Sequence, residues 1–266
     1  MQFETITYSD LDEIRNLQPD DWGDIIPDIE FYLRSSFCNP VKATIDGIIV
    51  GTGTAIVFEN TAWIAHIIVG SRHRNKGIGG QIVNYLLELL KKDSIETCSL
   101  IATSLGKPVY IKSGFSVVSE YLFFKREKPR ITCVLSKNLI PFAEVYRSEI
   151  YKLDAKISGE NRIRLLENML EKSILYVDKN KVLGYYIPEL KEGLIFADTE
   201  EAGLELMRLK YSTVDKAVLP SENTAGREFL IQNGFVQISI GTRMVLGKEI
   251  AWKPEKMYSR IGGNLG

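Results

Sequence analysis

Hydrophobic and polar positions in the first part of the chain predict strands, interrupted by two helical patterns, one with Leu11, Ile14 and Leu17 and one around Ile29 to Leu33. Gln2 to Thr7 is a short candidate strand, and a β-branched segment from Val41 to Phe58 is divided by Asp46-Gly47. An Asp-Gly pair between such segments is typical of a tight hairpin turn. Trp63 to Val69 supplies a further strand, so the sequence predicts an antiparallel meander.

After Gly77 the hydrophobic period changes to that of a helix. Apolar side chains recur three or four positions apart, at Ile78, Ile82, Tyr85, Leu86, Leu89 and Leu90. Lys91-Lys92 follows and suits the negative end of a helix dipole. The pattern then predicts a strand from Cys98 to Ala102, a helix from Lys107 to Ser113, and a pair of strands between Phe115 and Lys125.

A polar segment from Arg126 to Arg130 interrupts this pattern, and the order of strands and helices repeats beyond it. Tyr110-Ile-Lys-Ser-Gly114-Phe115 matches Leu230-Ile-Gln-Asn-Gly234-Phe235. Glycine and phenylalanine after a helix can mark only a common helix end, but the shared order around both favours a duplicated fold. We predict an α/β (α+β) protein with two domains, residues 1–128 and 129–266, each a mixed twisted sheet flanked by helices.

Composition narrows the compartment and the partners. With 33 basic and 34 acidic residues among 266, the chain has no net field that attracts nucleic acid or an anionic membrane. Cys38, Cys98 and Cys133 are widely spaced and form no Cys-x-x-Cys pair, so we expect a cytoplasmic protein without a metal site. The acidic N-terminal segment predicts no signal peptide, and the apolar stretches are too short to span about 30 Å of hydrocarbon.

The segment from Ile67 to Gly80 predicts an anion site. A strand end, basic residues and glycines meet there at the start of the predicted helix. Free N–H groups and the positive end of the helix dipole suit a diphosphate, and Arg74 and Lys76 add positive charge. A Walker A loop needs Gly-Lys-Ser/Thr and a dinucleotide fingerprint needs a third glycine in a set place, and neither fits.

The spacing of Val69, Arg74, Gly77 and Gly79 resembles the acetyl-CoA-binding motif of the GNAT acetyltransferases, Arg/Gln-x-x-Gly-x-Gly/Ala. Tyr110-x-x-x-Gly114-Phe115 resembles a later motif of the same superfamily. The resemblance implies an acetyl-CoA-dependent N-acetyltransferase in which the pantetheine arm lies between two separated strands. The residues expected to bind acetyl-CoA are Ile67, Val69, Arg74, Asn75, Lys76, Gly77, Ile78, Gly79 and Gly80.

The resemblance also implies that Tyr110 protonates the departing thiolate, although a half-buried structural aromatic is the alternative. An asparagine common seven residues earlier in the family is here Thr103. The acceptor amine must lose a proton, and His66 is the candidate base by its chemistry. Regular alternation places His66 on the face opposite Ile67 and Val69, so a catalytic role requires a bulge, and a structural role is the alternative.

Acidic and aromatic residues between Asn16 and Leu33 predict a rim that attracts a cationic small-molecule amine, with helix capping on a solvated surface as the alternative. They are Asp20, Asp21, Asp24, Asp28 and Glu30, with Trp22, Phe31 and Tyr32.

The second half lacks Arg-x-x-Gly-x-Gly between Ala197 and Gly203, and Leu230 replaces the tyrosine, which implies an active first copy and a degenerate second copy. Two other functions remain open: a non-catalytic acyl-CoA sensor, and a peptide or protein acetyltransferase. We expect no metal, nucleic acid or membrane partner, and a homodimer remains open. The segment from Trp252 to Gly266 is expected to be a flexible tail.

Overall fold

The computed structural model describes residues 1–19, 22–127 and 135–266. The chain divides into two compact units. Unit 1 comprises Met1–Val117, Met244–Lys248 and Gly263–Leu265, and unit 2 comprises Val118–Arg243, Glu249–Gly262 and Gly266. The predicted boundary near Lys128, together with Cys133, Asp20 and Asp21, lies outside the described residues, and the domain limits at 128 and 129 stay a prediction.

Unit 1 is built on a mixed sheet. Its strands are β1 (Gln2–Thr5), β2 (Cys38–Ile45), β3 (Ile48–Phe58), β4 (Thr61–Val69) and β5 (Thr97–Ala102), in the order β1-β2-β3-β4-β5. Neighbours from β1 to β4 are antiparallel, whereas β4 and β5 are parallel. Asp46 and Gly47 have φ of 52° and 79°, which confirms the predicted hairpin turn between β2 and β3.

The helices of unit 1 follow the predicted periodicity. They are α1 (Leu11–Arg15), α2 (Ile26–Arg34), α3 (Ile78–Lys92) and α4 (Lys107–Lys112). Ile82 and Leu86 of α3 are fully buried, which confirms the apolar face predicted for this helix.

The predicted pair of strands after Phe115 is wrong. One continuous strand, β6 (Ser116–Arg126), takes its place. The segment contains no glycine, proline or asparagine that favours a turn, so the chain stays extended throughout.

Unit 2 repeats the mixture of strands and helices. After β6 come β7 (Leu139–Pro141), α5 (Arg147–Ser158), α6 (Ile163–Leu166), β8 (Ile174–Asp178), β9 (Lys181–Ile187), β10 (Leu194–Ala197), α7 (Glu200–Tyr211), β11 (Lys216–Pro220), α8 (Thr224–Gln232), β12 (Phe235–Gly247) and β13 (Met257–Ser259). One group of strands has the order β12-β6-β11 and the other β13-β10-β9-β8-β7. The predicted α/β class is confirmed. In the part of the chain described, no helix has both the length and the apolar character needed to cross a bilayer.

The internal repeat extends to the way corresponding helices begin. Thr103 Oγ1 accepts a hydrogen bond from the Gly106 N–H at 3.2 Å ahead of α4. Asn223 Oδ1 accepts one from the Gly226 N–H at 2.7 Å at the start of α8. Threonine and asparagine thus hold the same turn in the two copies, because each presents a side-chain oxygen three residues before the N–H that it caps.

The C-terminal segment is ordered, so the predicted flexible tail is wrong. Ile261 and Leu265 are fully buried. The Ile261 N–H donates to the Gly266 carbonyl at 2.8 Å, which closes the last six residues into a loop. Apolar side chains at the end of a chain are removed from water when the fold offers a cavity for them.

Candidate active site

Strands β4 and β5 separate in the middle of unit 1. Their parallel pairing ends at Trp63–Ser99. Beyond that pair β4 continues to Val69 and β5 continues to Ala102. The two strands therefore diverge over their C-terminal halves and leave an opening at the edge of β4.

The head of α3 presents free backbone donors. Gly77 precedes the helix with φ of 79°, in the left-handed region, and its carbonyl accepts from the Gln81 N–H at 3.1 Å. The N–H groups of Ile78, Gly79 and Gly80 come before that bond, so helix geometry gives them no intrahelical acceptor. They lie at the positive end of the helix dipole, which makes this end of α3 able to bind an anion.

Packing inside unit 1 does not require glycine at the head of α3. A Cβ built at Gly77 would meet nothing closer than 4.0 Å, and one at Gly79 would lie 3.7 Å from Val69 Cγ2. A Cβ at Gly80 would lie 3.9 Å from Val109 Cγ1. These are open space or ordinary van der Waals distances, so packing does not explain the glycines. At Gly77 the open space leaves room for a molecule that approaches the backbone from outside.

Basic residues surround the same helix end. Arg74 Nε donates to the Val69 carbonyl at 3.1 Å, which fixes the guanidinium at the end of β4. Arg74, Asn75 and Lys76 are exposed, and Asn75 has φ of 62°. The loop that joins β4 to α3 therefore places positive charge beside the free N–H groups.

A β-bulge lies in β4 at the residues predicted to be catalytic. His66 and Ile67 both lie opposite Gly53 of β3, and His66 has φ of 49°. Ile67 points towards α3, since its Cδ1 would be 2.6 Å from a Cβ at Gly53, where Ile82 is also in contact. The His66 ring instead faces α2. The predicted bulge is present, but it does not bring the His66 ring to the face of Ile67, because the two side chains meet different neighbours. A catalytic role for His66 stays a prediction.

The His66 ring is held by a chain of polar contacts. Its Nδ1 lies 2.7 Å from the Tyr32 hydroxyl, and its Nε2 lies 3.4 Å from Asp28 Oδ2. Asn264 Nδ2 donates to the same Tyr32 hydroxyl at 2.5 Å. Burial, with the charge of Asp28 added, raises the pKa of Tyr32 well above its ordinary value, so this hydroxyl keeps its proton. The contacts run from the buried Asn264 to Asp28 at the surface.

The predicted acidic rim divides into capping and site residues. Asp24 Oδ1 accepts from the Ile26 N–H at 3.1 Å, so Asp24 contributes to the start of α2. Asp28 lies beside His66, and the indole of Trp22 lies 6.2 Å from the same imidazole between ring centroids. Asp28 and Trp22 are therefore the acid and the aromatic of the predicted rim that lie beside His66 together with Tyr32.

Tyr110 lies on α4 and is buried in the core of unit 1. It shares a core with Ile78 of α3 and Ala102 of β5. Burial raises the pKa of Tyr110 to about 12, so the phenol is protonated at neutral pH. In the part of the chain that the structure describes, no protein atom accepts a hydrogen bond from this hydroxyl. The role of Tyr110 as proton donor stays a prediction.

Asn264 is a residue of this region that sequence patterns did not single out. It is 232 positions from Tyr32 along the chain, and no local motif surrounds it. Within residues 1–19, 22–127 and 135–266, no three His, Cys, Asp or Glu side chains come together as metal ligands.

Comparisons with known proteins find acetyltransferases for both halves of the chain. The profile of the acetyltransferase (GNAT) family matches residues 9–111, and the profile of an acetyltransferase (GNAT) domain matches residues 150–259. No protein of curated function matches the sequence at a significant level.

Solved structures share the fold over the full length. A "putative acetyltransferase" from Pyrococcus horikoshii matches with a TM-score of 0.85 at 20% identity, over 100% of this chain and 95% of that chain. A GCN5-related N-acetyltransferase from Sphaerobacter thermophilus matches with a TM-score of 0.66 at 12% identity, over 95% and 98% of the two chains. One from Anabaena variabilis gives 0.58 at 11% identity, over 92% of this chain and 72% of that chain.

The two family matches cover residues 9–111 and 150–259, one in each copy of the repeat predicted from the sequence. The protein therefore belongs to the GNAT acetyltransferases, with two GNAT domains in tandem and acetyl-CoA-dependent acetylation as its general chemistry.

Proposed function

We propose that the first GNAT copy, within residues 1–128, transfers an acetyl group from acetyl-CoA to the primary amine of a small molecule. The observation that carries the proposal is the head of α3, where Gly77 has φ of 79° and is followed by N–H groups with no intrahelical acceptor. A loop of residues 70–77 joins this helix end to β4, the strand whose pairing with β5 ends at Trp63.

Coenzyme A binding is assigned to the loop and the helix head. The N–H groups of Ile78, Gly79 and Gly80 donate to the diphosphate, and the basic residues Arg74 and Lys76, with Asn75, complete the site. The pantetheine arm enters the opening between β4 and β5 and meets the backbone of Ile67 and Val69. Acetyl-CoA is the cosubstrate, and the proposal includes no metal.

The reaction is a direct attack of the neutral amine on the thioester carbonyl carbon. An N–H of β4 near Ile67 stabilises the oxyanion that forms. The intermediate collapses with cleavage of the C–S bond, and Tyr110 gives its proton to the departing thiolate. The proton that the amine loses leaves towards the His66–Asp28 pair, directly or through water.

The acceptor side favours a cationic amine. The carboxylate of Asp28 and the exposed indole of Trp22 both lie near the His66 ring. A carboxylate attracts an ammonium by charge and an indole face attracts it by a cation–π contact. These two contacts support an amine substrate that is protonated in solution.

In the second copy, the start of α7, the helix that corresponds to α3, disfavours an anion. The Ala202 N–H at the head of α7 is taken by Thr199 Oγ1 at 3.3 Å, and Glu200 and Glu201 occupy the first turn. A Cβ at Gly203 would lie 2.3 Å from the Tyr258 ring, so protein atoms already fill the space beside it. Two acidic side chains and a filled approach disfavour a diphosphate, which supports a non-catalytic second copy.

Calorimetric titration with coenzyme A and an acetyl-transfer assay across small amines and peptides test the proposal. We expect coenzyme A binding by wild type and by Tyr110→Phe, with transfer to small cationic amines strongly reduced in the variant. If both proteins bind coenzyme A and neither consumes acetyl-CoA above background, the protein is an acyl-CoA-binding module and the enzyme proposal is wrong. If acetyl transfer is seen only with peptides, the acceptor is a peptide or protein and not a small molecule.

A further inference from the structure

The second copy contains a gap that matches the proposed pantetheine site of the first. In the first copy the chain runs from β4 through α3 to β5, and in the second it runs from β10 through α7 to β11. β4 and β5 pair only as far as Trp63–Ser99, and β10 and β11 belong to different sheets. The gap between β10 and β11 therefore corresponds to the opening into which the first copy is proposed to take the pantetheine arm.

Strand β13 lies in this gap. It pairs with β10 in antiparallel register, with Ser259 opposite Ile195. It also contacts β11, and the Arg260 N–H that follows it donates to the Val218 carbonyl at 3.4 Å. All three residues of β13 are buried. The strand thus has β10 on one side and β11 on the other.

Polar side chains of unit 2 fix β13 in place. Asn223 Nδ2 donates to the Met257 carbonyl at 2.9 Å, while its Oδ1 caps α8. Lys210 Nζ, on α7, donates to Ser259 Oγ at 2.6 Å and to the Gly193 carbonyl at 2.9 Å. The helix and the turn that correspond to those beside the opening of the first copy therefore bind β13.

The side chains of this segment close the gap at both ends. Arg260 Nε and Nη2 donate to the two carboxylate oxygens of Glu192 at 2.9 and 2.7 Å, a bidentate ion pair. The ring of Tyr258 lies against the start of α7, so that a Cβ at Gly203 would clash with it. The corresponding head of α3 is open at Gly77. The approach that a cofactor needs is therefore filled by the chain itself in the second copy.

A strand is a suitable occupant for such a gap, because the pantetheine arm is itself an extended chain whose amide groups can bond to a strand edge as a peptide does. We propose that β13 is an internal ligand of the second copy and takes the place of a pantetheine arm between β10 and β11. The protein then has a single coenzyme A site per chain, in the first copy. This inference rests on the proposed function, since it takes the matching gap of the first copy as the coenzyme A site.

Hydrogen exchange followed by mass spectrometry tests the place of β13 in the full-length protein. Without ligand, we expect the backbone amides of residues 257–260 to exchange as slowly as those of β9, which is paired on both sides. Exchange at the rate of an unfolded chain overturns the proposal. Saturating coenzyme A should leave this protection unchanged, whereas faster exchange means that the cofactor displaces the strand and also overturns it.

Substitution of Gly203 by alanine tests the contact with Tyr258. Alanine normally stabilises a helix relative to glycine, so the matched control Gly80→Ala, with its Cβ 3.9 Å from Val109 Cγ1, should not lower Tm. Gly203→Ala forces the Tyr258 ring away, so we expect a lower Tm and exchange of residues 257–260 about tenfold faster. Both variants are measured without ligand, and the same behaviour in both overturns the proposal.

A second substitution checks that the ring is the cause. In a Tyr258→Ala background, Gly203→Ala should no longer lower Tm, because the ring that met the new methyl group is gone. An equal loss in both backgrounds overturns the place of Tyr258 beside α7. If Tyr258→Ala does not fold, the exchange data of the wild type and of the two glycine variants still decide between the outcomes.

Calorimetric titration separates this inference from the proposed function. We expect one molar equivalent of coenzyme A per chain, and two equivalents overturn the internal ligand. If the wild type binds no coenzyme A, the proposed function fails. Slow exchange of residues 257–260 and the rescue by Tyr258→Ala then still support β13 as the strand that closes the gap.

Discussion

Replacing Gly77 by alanine separates the backbone role of this residue from a role in binding coenzyme A. Gly77 has φ of 79°, and a Cβ there would meet nothing closer than 4.0 Å. Gly47, in the β2–β3 turn, has the same φ of 79° and no atom within 4 Å of its Cβ position. The two sites make the same steric and conformational demand, so Gly47→Ala is a matched control.

Both substitutions are expected to lower the free energy of unfolding by a similar amount. A left-handed conformation costs an L-residue about 1–2 kcal/mol relative to glycine. At about 2–4 °C per kcal/mol for chains near this length, Tm should fall by a few degrees in each variant. Thermal unfolding followed by circular dichroism measures both shifts.

Coenzyme A affinity is expected to change in only one of the two variants. Relief of the strain at position 77 reorients the first N–H groups of α3, and a methyl group enters the side from which the diphosphate approaches. Loss of one hydrogen bond to a charged phosphate costs about 1.5–3 kcal/mol. At 1.4 kcal/mol per factor of ten, Kd should rise about 10- to 150-fold.

Isothermal titration calorimetry with coenzyme A on the two folded variants measures the difference. If Gly77→Ala and Gly47→Ala lose similar stability and both bind coenzyme A like wild type, the head of α3 does not hold the diphosphate. Gly79→Ala is expected to retain binding, because its Cβ would make only an ordinary contact, at 3.7 Å, with Val69 Cγ2.

Three further predictions concern the acid, the acceptor site and the second unit. Tyr110→Phe should lower kcat about 100-fold and leave the affinity for coenzyme A unchanged. Because burial raises the pKa of Tyr110 to about 12, the difference in kcat between wild type and variant should persist at about pH 10, where an ordinary tyrosine is half ionised. Asp28→Asn should raise KM about tenfold for a cationic amine and leave KM for acetyl-CoA unchanged in steady-state assays, whereas an equal effect on both would contradict an acceptor role. Asp154→Asn leaves the buried Arg162 without its ion pair at 2.6 Å and should cost about 3–5 kcal/mol in urea unfolding, whereas Glu144→Gln, in an exposed pair, should change stability little.

Local signals predicted those parts of the fold that depend on neighbouring residues. Asp46-Gly47 specifies its own turn, and the spacing from Ile78 to Leu90 specifies the buried face of α3. Such features need no knowledge of distant contacts, which is why the sequence alone located them.

Features that depend on tertiary contacts were not predictable in the same way. The tail was expected to be flexible, whereas Ile261 and Leu265 are buried. Their burial depends on cavities formed by the rest of the fold, which the local sequence does not reveal. Asn264 meets Tyr32 across 232 positions, and nothing in a single sequence pairs them. The direction of the His66 ring depends on a β-bulge in β4. The alternation of side chains along a strand does not show from the sequence whether such a bulge is present.

The membership of Met244–Lys248 and Gly263–Leu265 in unit 1 has a consequence for biosynthesis. Thr97 Oγ1 donates to the Lys248 carbonyl at 2.7 Å, so β5 lacks this partner until the ribosome has added residue 248. A nascent chain halted at residue 128 should remain protease-sensitive and should not retain coenzyme A, although the binding motif has already emerged. Coenzyme A binding should then begin only after residues 244–248 and 263–265 have been synthesised, so that a shorter product cannot compete for the cofactor.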